Sequence, residues 1–182
     1  MQKSKGFVSA VLLVVALAVG ACASTRTTKS AGEQVDDSVT TGRVKAALIA
    51  DPTTKAHQID VETFKGTVQL NGFVDSAASK SRASEVAKST KGVTAVHNNL
   101  TVKTDPRTGS QTVDDGAITA KVKAALAGDP RTKAHQVNVE TREGNVQLSG
   151  FVDSSEAKST AEQLARAVDN VKSVDNELDV KR

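Results

Sequence analysis

Hydrophobic residues recur at helical spacing near the start of each half of the chain. Ile118, Val122 and Leu126 lie four residues apart, which places them on one face of a helix. The first half repeats the spacing with Val44 and Leu48, although a threonine replaces the isoleucine. The pattern predicts an amphipathic helix at both places.

Aspartate pairs at residues 36–37 and 114–115 precede these apolar positions. Carboxylates at a helix start accept hydrogen bonds from unpaired backbone amides and interact favourably with the helix dipole. Asp-Pro pairs at 51–52 and 129–130 then stop the helical pattern. We interpret the aspartate pairs as helix caps rather than as paired catalytic carboxylates.

The period changes to two after each predicted helix. Ile59 and Val61, and then Val68 and Leu70, alternate with polar residues, as expected of half-buried strands. Gly66 lies between the two runs and can adopt the positive φ that a tight hairpin turn requires. A β-hairpin is predicted here and at the matching residues of the second half.

Helical spacing returns once more before a final strand. Ala161, Leu164 and Val168 share a helix face, with Ser154 as a plausible cap, and residues 174–180 alternate again. The order is α-β-β-α-β, and it occurs twice. The predicted fold class is α+β, with two tandem domains that each place two helices on one face of a three-stranded sheet.

A tandem duplication explains why the order occurs twice. The phrases VQLNGFVDS and VQLSGFVDS lie 78 positions apart, as Phe73 and Phe151 show, and about half of all aligned positions agree. We interpret the phrase as architecture, with Gly72 standing where a side chain would crowd the fold. The predicted boundaries are a signal peptide at 1–21, a lipid-anchored linker at 22–34, domains at 35–104 and 113–182, and a linker at 105–112.

The leader resembles a secretory signal. Lys3 and Lys5 precede an uncharged run that ends in VGAC at Cys22, the single cysteine of the chain. This is similar to a bacterial lipoprotein signal, in which the cysteine is acylated. Cleavage after Ala23, which would discard the cysteine, stays an alternative.

Charge and aromatic content argue against nucleic acid as a partner. Lys and Arg number 24 against 21 Asp and Glu, and removal of Lys3 and Lys5 leaves a net charge of +1. A nucleic-acid-binding surface normally keeps a clear excess of positive charge. Trp and Tyr are absent and only four Phe are present, which leaves little for base stacking.

The chain resembles the BON-domain family of bacterial envelope proteins. The resemblance rests on the α-β-β-α-β order, the hairpin phrases GTVQLNGFVDS and GNVQLSGFVDS, and the closing phrases GVTAVHNNLTV and NVKSVDNELDV. The lipoprotein-like signal ending in VGAC, followed by two such units, is similar to dual-BON outer-membrane lipoproteins. The two units alone are similar to osmotically inducible periplasmic proteins. The family implies non-enzymatic modules associated with envelope integrity, and in some members binding of anionic phospholipid.

Four basic residues around the opening helix of the second domain are candidate contacts to anionic lipid: Lys121, Lys123, Arg131 and Lys133. Lysine and arginine near an anionic membrane each contribute on the order of 1 kcal/mol. The alternative interpretation is an ordinary solvated helix face.

No motif points to catalysis, a metal or a cofactor. His57 and His135 recur in KAHQ without further ligands nearby, and we interpret them as solvated. The chain has no G-x-S-x-G elbow and no glycine-rich phosphate loop. An enzyme is therefore not expected.

The sequence thus predicts a lipid-anchored protein at the periplasmic face of the outer membrane that supports envelope integrity or stress tolerance by binding anionic phospholipid. One alternative is an adaptor for an envelope assembly protein or a peptidoglycan-associated protein. Another is a soluble periplasmic osmotic-stress protein.

Overall fold

The computed structural model describes residues 30–54, 56–103 and 109–182. The first unit contains α1 (Ala31–Ala50), β1 (Ile59–Phe64), β2 (Thr67–Val74), α2 (Ala77–Ser89), β3 (Ala95–Asn98) and β4 (Thr101–Val102). The second contains α3 (Gly109–Gly128), β5 (Asn138–Arg142), β6 (Asn145–Val152), α4 (Ser155–Arg166) and β7 (Ser173–Val180). A short 3₁₀ turn precedes β1 and another precedes β5. The predicted order and fold class are confirmed.

Each sheet is built around its second strand. In the first unit β2 pairs antiparallel with β1 and parallel with β3 and β4. In the second, β6 pairs antiparallel with β5 and parallel with β7. The last strand of the first unit is split into β3 and β4, whereas β7 is continuous.

The hairpin turns form as the sequence predicts. Lys65 and Gly66 both have positive φ, at 48° and 75°, which is the conformation of a two-residue turn whose twist matches the flanking strands. Glu143 and Gly144 repeat it at 55° and 80°.

The aspartate pairs are not helix caps, and that interpretation is wrong. Helix α1 begins at Ala31, with Ser30 as its cap. The carboxylate of the buried Asp37 instead accepts hydrogen bonds of 2.8 and 2.9 Å from the backbone amides of Lys65 and Gly66. Helix α1 begins at Ala31 and α3 at Gly109, well over one turn before the aspartate pairs, so these aspartates tie the second turn of each helix to its hairpin. By contrast, Ser154 caps α4 as predicted.

The helices cover one face of each sheet. In the first unit Val68 and Leu70 of β2 pack with Val44 and Leu48 of α1, and the second unit builds the same aliphatic core. Residues 68–74 are nevertheless buried without interruption, which requires that both faces of the sheet be covered. The second unit covers the other face, so the molecule has four layers with the helices outermost.

Within the described residues no helix is long and apolar enough to span a membrane.

Candidate functional site

The two units meet through the middle of their central strands. The side-chain oxygen of Gln69 accepts a hydrogen bond of 2.9 Å from the backbone amide of Gly150. That of Gln147 accepts one of 2.6 Å from the amide of Gly72. Both glutamines are buried, and buried polar groups require such partners. Because Gln69 and Gln147 occupy the same position in their repeats, the junction has approximate twofold symmetry.

The glycines of the repeated phrase are required by the backbone. Gly72 and Gly150 have φ of +114° and +122°, and a Cβ on either would overlap a carbonyl oxygen, of Gln58 and of Gln136 respectively. Only glycine adopts this conformation without strain. The architectural interpretation of the phrase is confirmed, and its glutamine serves the junction between the units.

Polar contacts cross the junction at two separate places, one between β3 and β7 and the other between β1 and β5. The Asp179 carboxylate lies 2.6 Å from the side-chain nitrogen of Gln69 and 2.6 Å from the imidazole of His97. Asn138 donates hydrogen bonds of 2.5 and 3.0 Å to Asp60 and Glu62 in the other unit. Polar partners therefore fix the two units in one register.

Two aromatic rings stack across the same junction. The ring centroids of Phe64 and Phe151 are 5.3 Å apart, and the rings are inclined by 28°. The ammonium groups of Lys65 and Lys181 lie 5.5 and 5.8 Å from the centre of the Phe64 ring, within cation–π range. Two of the four phenylalanines thus join the domains.

The predicted lipid-contact residues Lys121 and Lys123 are exposed on α3. They flank the buried Val122, so they lie about 200° apart around the helix axis. Between them runs an exposed ridge of Val113, Ala120 and Ala124. The two lysines therefore border one apolar ridge instead of forming a contiguous patch.

The other two predicted contacts follow the end of α3 and form ion pairs. Arg131 binds Asp129 at 2.6 Å, and its hydrogen bonds lower the pKa of that carboxyl to about 2. Lys133 and Lys181 bind the two oxygens of Asp153 at 2.5 and 2.6 Å. Burial raises the pKa of Asp153, but the two lysines outweigh it and the pKa is lowered to about 2.

His57 and His135, which recur in the two repeats, do not form a shared metal site. His57 and His135 are exposed, each in the short 3₁₀ turn of its own unit. Among the described residues, no group of His, Cys, Asp and Glu could hold a metal ion. Cys22, the predicted lipidation site, lies outside the described residues.

Sequence reasoning missed the junction and its residues. Gln69 and Gln147 occupy polar positions in alternating strands, a pattern that equally fits a solvated face. The available signal was the repetition of the phrase itself, in which the outward glutamine and phenylalanine recur beside the glycine.

The chain is similar to several known proteins. A family model described as "BON domain" matches residues 36–104 and 114–182. The chain is 41% identical to osmotically-inducible protein Y of Escherichia coli, over 94% of each chain. It is 34% identical to outer membrane lipoprotein DolP of Haemophilus influenzae, over 93% of this chain and 86% of that protein. A solved structure of CdsD, a structural protein of the type III secretion system of Chlamydia trachomatis, aligns with 76% of this chain and 90% of its own at 15% identity and a TM-score of 0.29.

Proposed function

Since the chain belongs to the BON-domain family, we propose that it is a non-catalytic protein of the bacterial cell envelope that binds anionic phospholipid through the outer face of α3. An acyl anchor on Cys22 would hold it at the periplasmic face of the outer membrane. The names of two relatives, an outer membrane lipoprotein and an osmotically inducible protein, support an envelope role in integrity or stress tolerance.

The lysine-bordered ridge of α3 is the observation that carries this proposal. Val113 is 72% exposed, and Ala120 and Ala124 continue the ridge along the helix. Small apolar side chains can enter the boundary between headgroups and acyl chains, while Lys121 and Lys123 extend towards the phosphates on either side. The ridge faces away from the rest of the molecule, because the helices form the outer layers.

Helix α1 carries a related ridge on the opposite outer layer. Val35 and Ile49 are 62% and 75% exposed, and Arg43 and Lys45 border them. This helix carries three acidic residues, at 33, 36 and 37, in its first two turns, whereas α3 carries two, Asp114 and Asp115. Because the two ridges face opposite directions, a flat membrane can contact only one of them, and the less acidic α3 suits an anionic surface better.

The exposed aliphatic residues of α1 favour a second function, that of a protein-interaction adaptor. Val35, Val39 and Ile49 form a surface to which an apolar segment of an envelope protein could bind. Such an interface should survive high salt, whereas binding to anionic lipid should weaken as salt screens the charges. In a third arrangement, cleavage after Ala23 would leave a soluble periplasmic stress protein.

Flotation with lipid vesicles tests the leading proposal. The protein for this test lacks residues 1–21 and carries Cys22→Ala, which prevents acylation. It is mixed either with vesicles that contain phosphatidylglycerol or with vesicles of pure phosphatidylcholine, each at about 0.05 and 0.5 M salt. We expect binding only to the anionic vesicles at low salt, and its loss in the double variant Lys121→Glu/Lys123→Glu. The matched control, Lys88→Glu/Lys91→Glu, makes the same change in net charge at exposed residues of the first unit. Equal weakening by both pairs, or no anionic preference, would refute a role for α3.

A further inference from the structure

A cleft of about 490 Å³ opens at the junction of the two units. Residues of both units line it, including Thr67 and His97 from the first and Lys158 and Asp179 from the second. It lies on the sheet layers, away from the outer ridge of α3. Its volume falls within the range of small-molecule sites, which is about 300 to 1,000 Å³.

Positive charge dominates the lining. Three lysines, Lys65, Lys158 and Lys181, line the cleft together with the carboxylate of Asp179. Lys158 donates a hydrogen bond of 2.6 Å to the backbone carbonyl of Leu178, which is a neutral partner, and its charge also attracts the Glu162 carboxylate on the same helix. The cleft therefore attracts anions.

Lys181 is paired with Asp153 at 2.6 Å, so the proposal depends most on Lys158, and the other two carboxylates near the cleft already have partners of their own. Asp179 is bound by Gln69 and His97. Glu162, one turn along α4 from Lys158, is bound by Arg166 at 2.7 Å and by Asn176 at 3.0 Å. Neither carboxylate is available to Lys158 without breaking an existing contact.

The stacked rings of Phe64 and Phe151 form part of the cleft wall. An apolar wall excludes water from one side of a bound ion and so strengthens its attraction to nearby charges. Phe64 is buried, so the partly exposed Phe151 ring is the one that a nonpolar substituent could contact. The cleft thus combines ammonium groups for an anion with an aromatic side chain for what the anion carries.

From this combination we propose that the junction binds a phosphate ester. The phosphate oxygens accept hydrogen bonds from the Lys158 ammonium group and from the Thr67 hydroxyl, the other lysines add positive charge, and the ester substituent lies against the Phe151 ring. The shared chemistry could come from a soluble phosphate ester or from a phospholipid headgroup. This site is separate from the α3 surface, so the two proposals can fail independently.

The repeat provides a matched control inside the same chain. Lys158 corresponds to Lys80, which occupies the same position on α2 and lies outside the lining of this cleft. Lys65 corresponds to Glu143, so the related end of the junction lacks this lysine.

NMR titration of the Cys22→Ala chain without residues 1–21 tests the proposal. The two probes are glycerol phosphate and dihexanoyl phosphatidylglycerol below its micelle concentration. Sodium chloride at matched ionic strength is the control. We expect saturable shifts of the Phe64, Phe151 and Lys158 amides with a phosphate ester and none with chloride. Lys158→Gln should weaken binding roughly tenfold, as expected for the loss of a charged hydrogen bond, while Lys80→Gln should not.

The titration also distinguishes the two sources of phosphate. Similar affinity for glycerol phosphate and the short-chain lipid would indicate a site for soluble esters, and binding of the lipid alone would indicate a headgroup site. If Lys158→Gln fails to fold, Lys65→Asn replaces it, because asparagine tolerates the positive φ at this position. Shifts that chloride reproduces, or that survive removal of the lysine, would overturn the proposal.

Discussion

Gln147 accepts, through its side-chain oxygen, a 2.6 Å hydrogen bond from the backbone amide of Gly72 in the other unit. Its own amide group donates a bond of 2.7 Å to the carbonyl of Asn99. One buried side chain thus satisfies two backbone groups across the junction. In the opposite direction, the side-chain oxygen of Gln69 accepts a hydrogen bond from the backbone amide of Gly150. The duplicated phrase builds a junction between its two copies, which places both sheets and the cleft between them.

Replacing Gln147 with leucine should destabilise the protein. The change leaves the buried Gly72 amide without a partner, which costs about 1–3 kcal/mol. Urea unfolding measures the effect, with Gln163→Leu on the exposed face of α4 as the control. Equal unfolding midpoints for the two variants would mean that the Gln147 hydrogen bonds contribute no stability.

Alanine at Gly150 should be among the most damaging substitutions in the second unit. The added Cβ would overlap the Gln136 carbonyl oxygen at a φ of +122°, so the strand must shift or the 3₁₀ turn must move. Gly116→Ala in α3 has nothing within 4 Å of the new atom and should stabilise the helix by up to about 1 kcal/mol. Thermal unfolding should move in opposite directions for the two variants, and a parallel change would contradict the packing described.

Asp115 should contribute more to stability than its neighbour Asp114. Its buried carboxylate accepts hydrogen bonds of 2.8 and 2.9 Å from the amides of Glu143 and Gly144. Asp115→Ala removes both, and each hydrogen bond to a charged group is worth about 1.5–3 kcal/mol. Asp114→Ala changes an exposed residue and serves as the control in urea unfolding. If both variants unfold alike, Asp115 does not hold the hairpin.

Asp153 should cause the free energy of unfolding to fall as the pH becomes strongly acidic. Its pKa is lowered from 3.8 to about 2 in the folded protein, so the unfolded chain takes up the proton more readily. The resulting stabilisation is present above about pH 4 and is lost as the pH falls towards 2. Urea midpoints measured across this range should fall less steeply in Asp153→Asn than in the unchanged protein. Parallel curves would show that the lysine pairs do not hold this carboxylate ionised.

The sequence predicted the elements better than their assembly. The period of apolar residues identified the helices and strands, and Gly66 identified the hairpin turn, because these features depend on neighbours along the chain. The helix starts were misplaced because Asp37 and Asp115 look like caps, whereas their partners lie 28 and 29 residues away. The junction was missed because Gln69 on the outward face of a strand resembles a solvated residue until the second unit covers it.

The candidate lipid contacts were predicted as residues but not as an arrangement. Charge along the sequence identified Lys121, Lys123, Arg131 and Lys133, yet it could not show that Arg131 and Lys133 pair with nearby aspartates. Nor could it show the apolar ridge between the first two, because that depends on which face of α3 is buried.

Intact mass and membrane fractionation show whether the chain is anchored at the membrane of the envelope. The full sequence is expressed from residue 1, and the Cys22→Ala variant is expressed in parallel. We expect the unchanged chain to begin at Cys22, to carry the mass of its acyl groups and to sediment with the outer membrane. The variant should lose the added mass and should no longer sediment with the membrane. A soluble, unmodified chain that begins near Ser24 would contradict the membrane anchor.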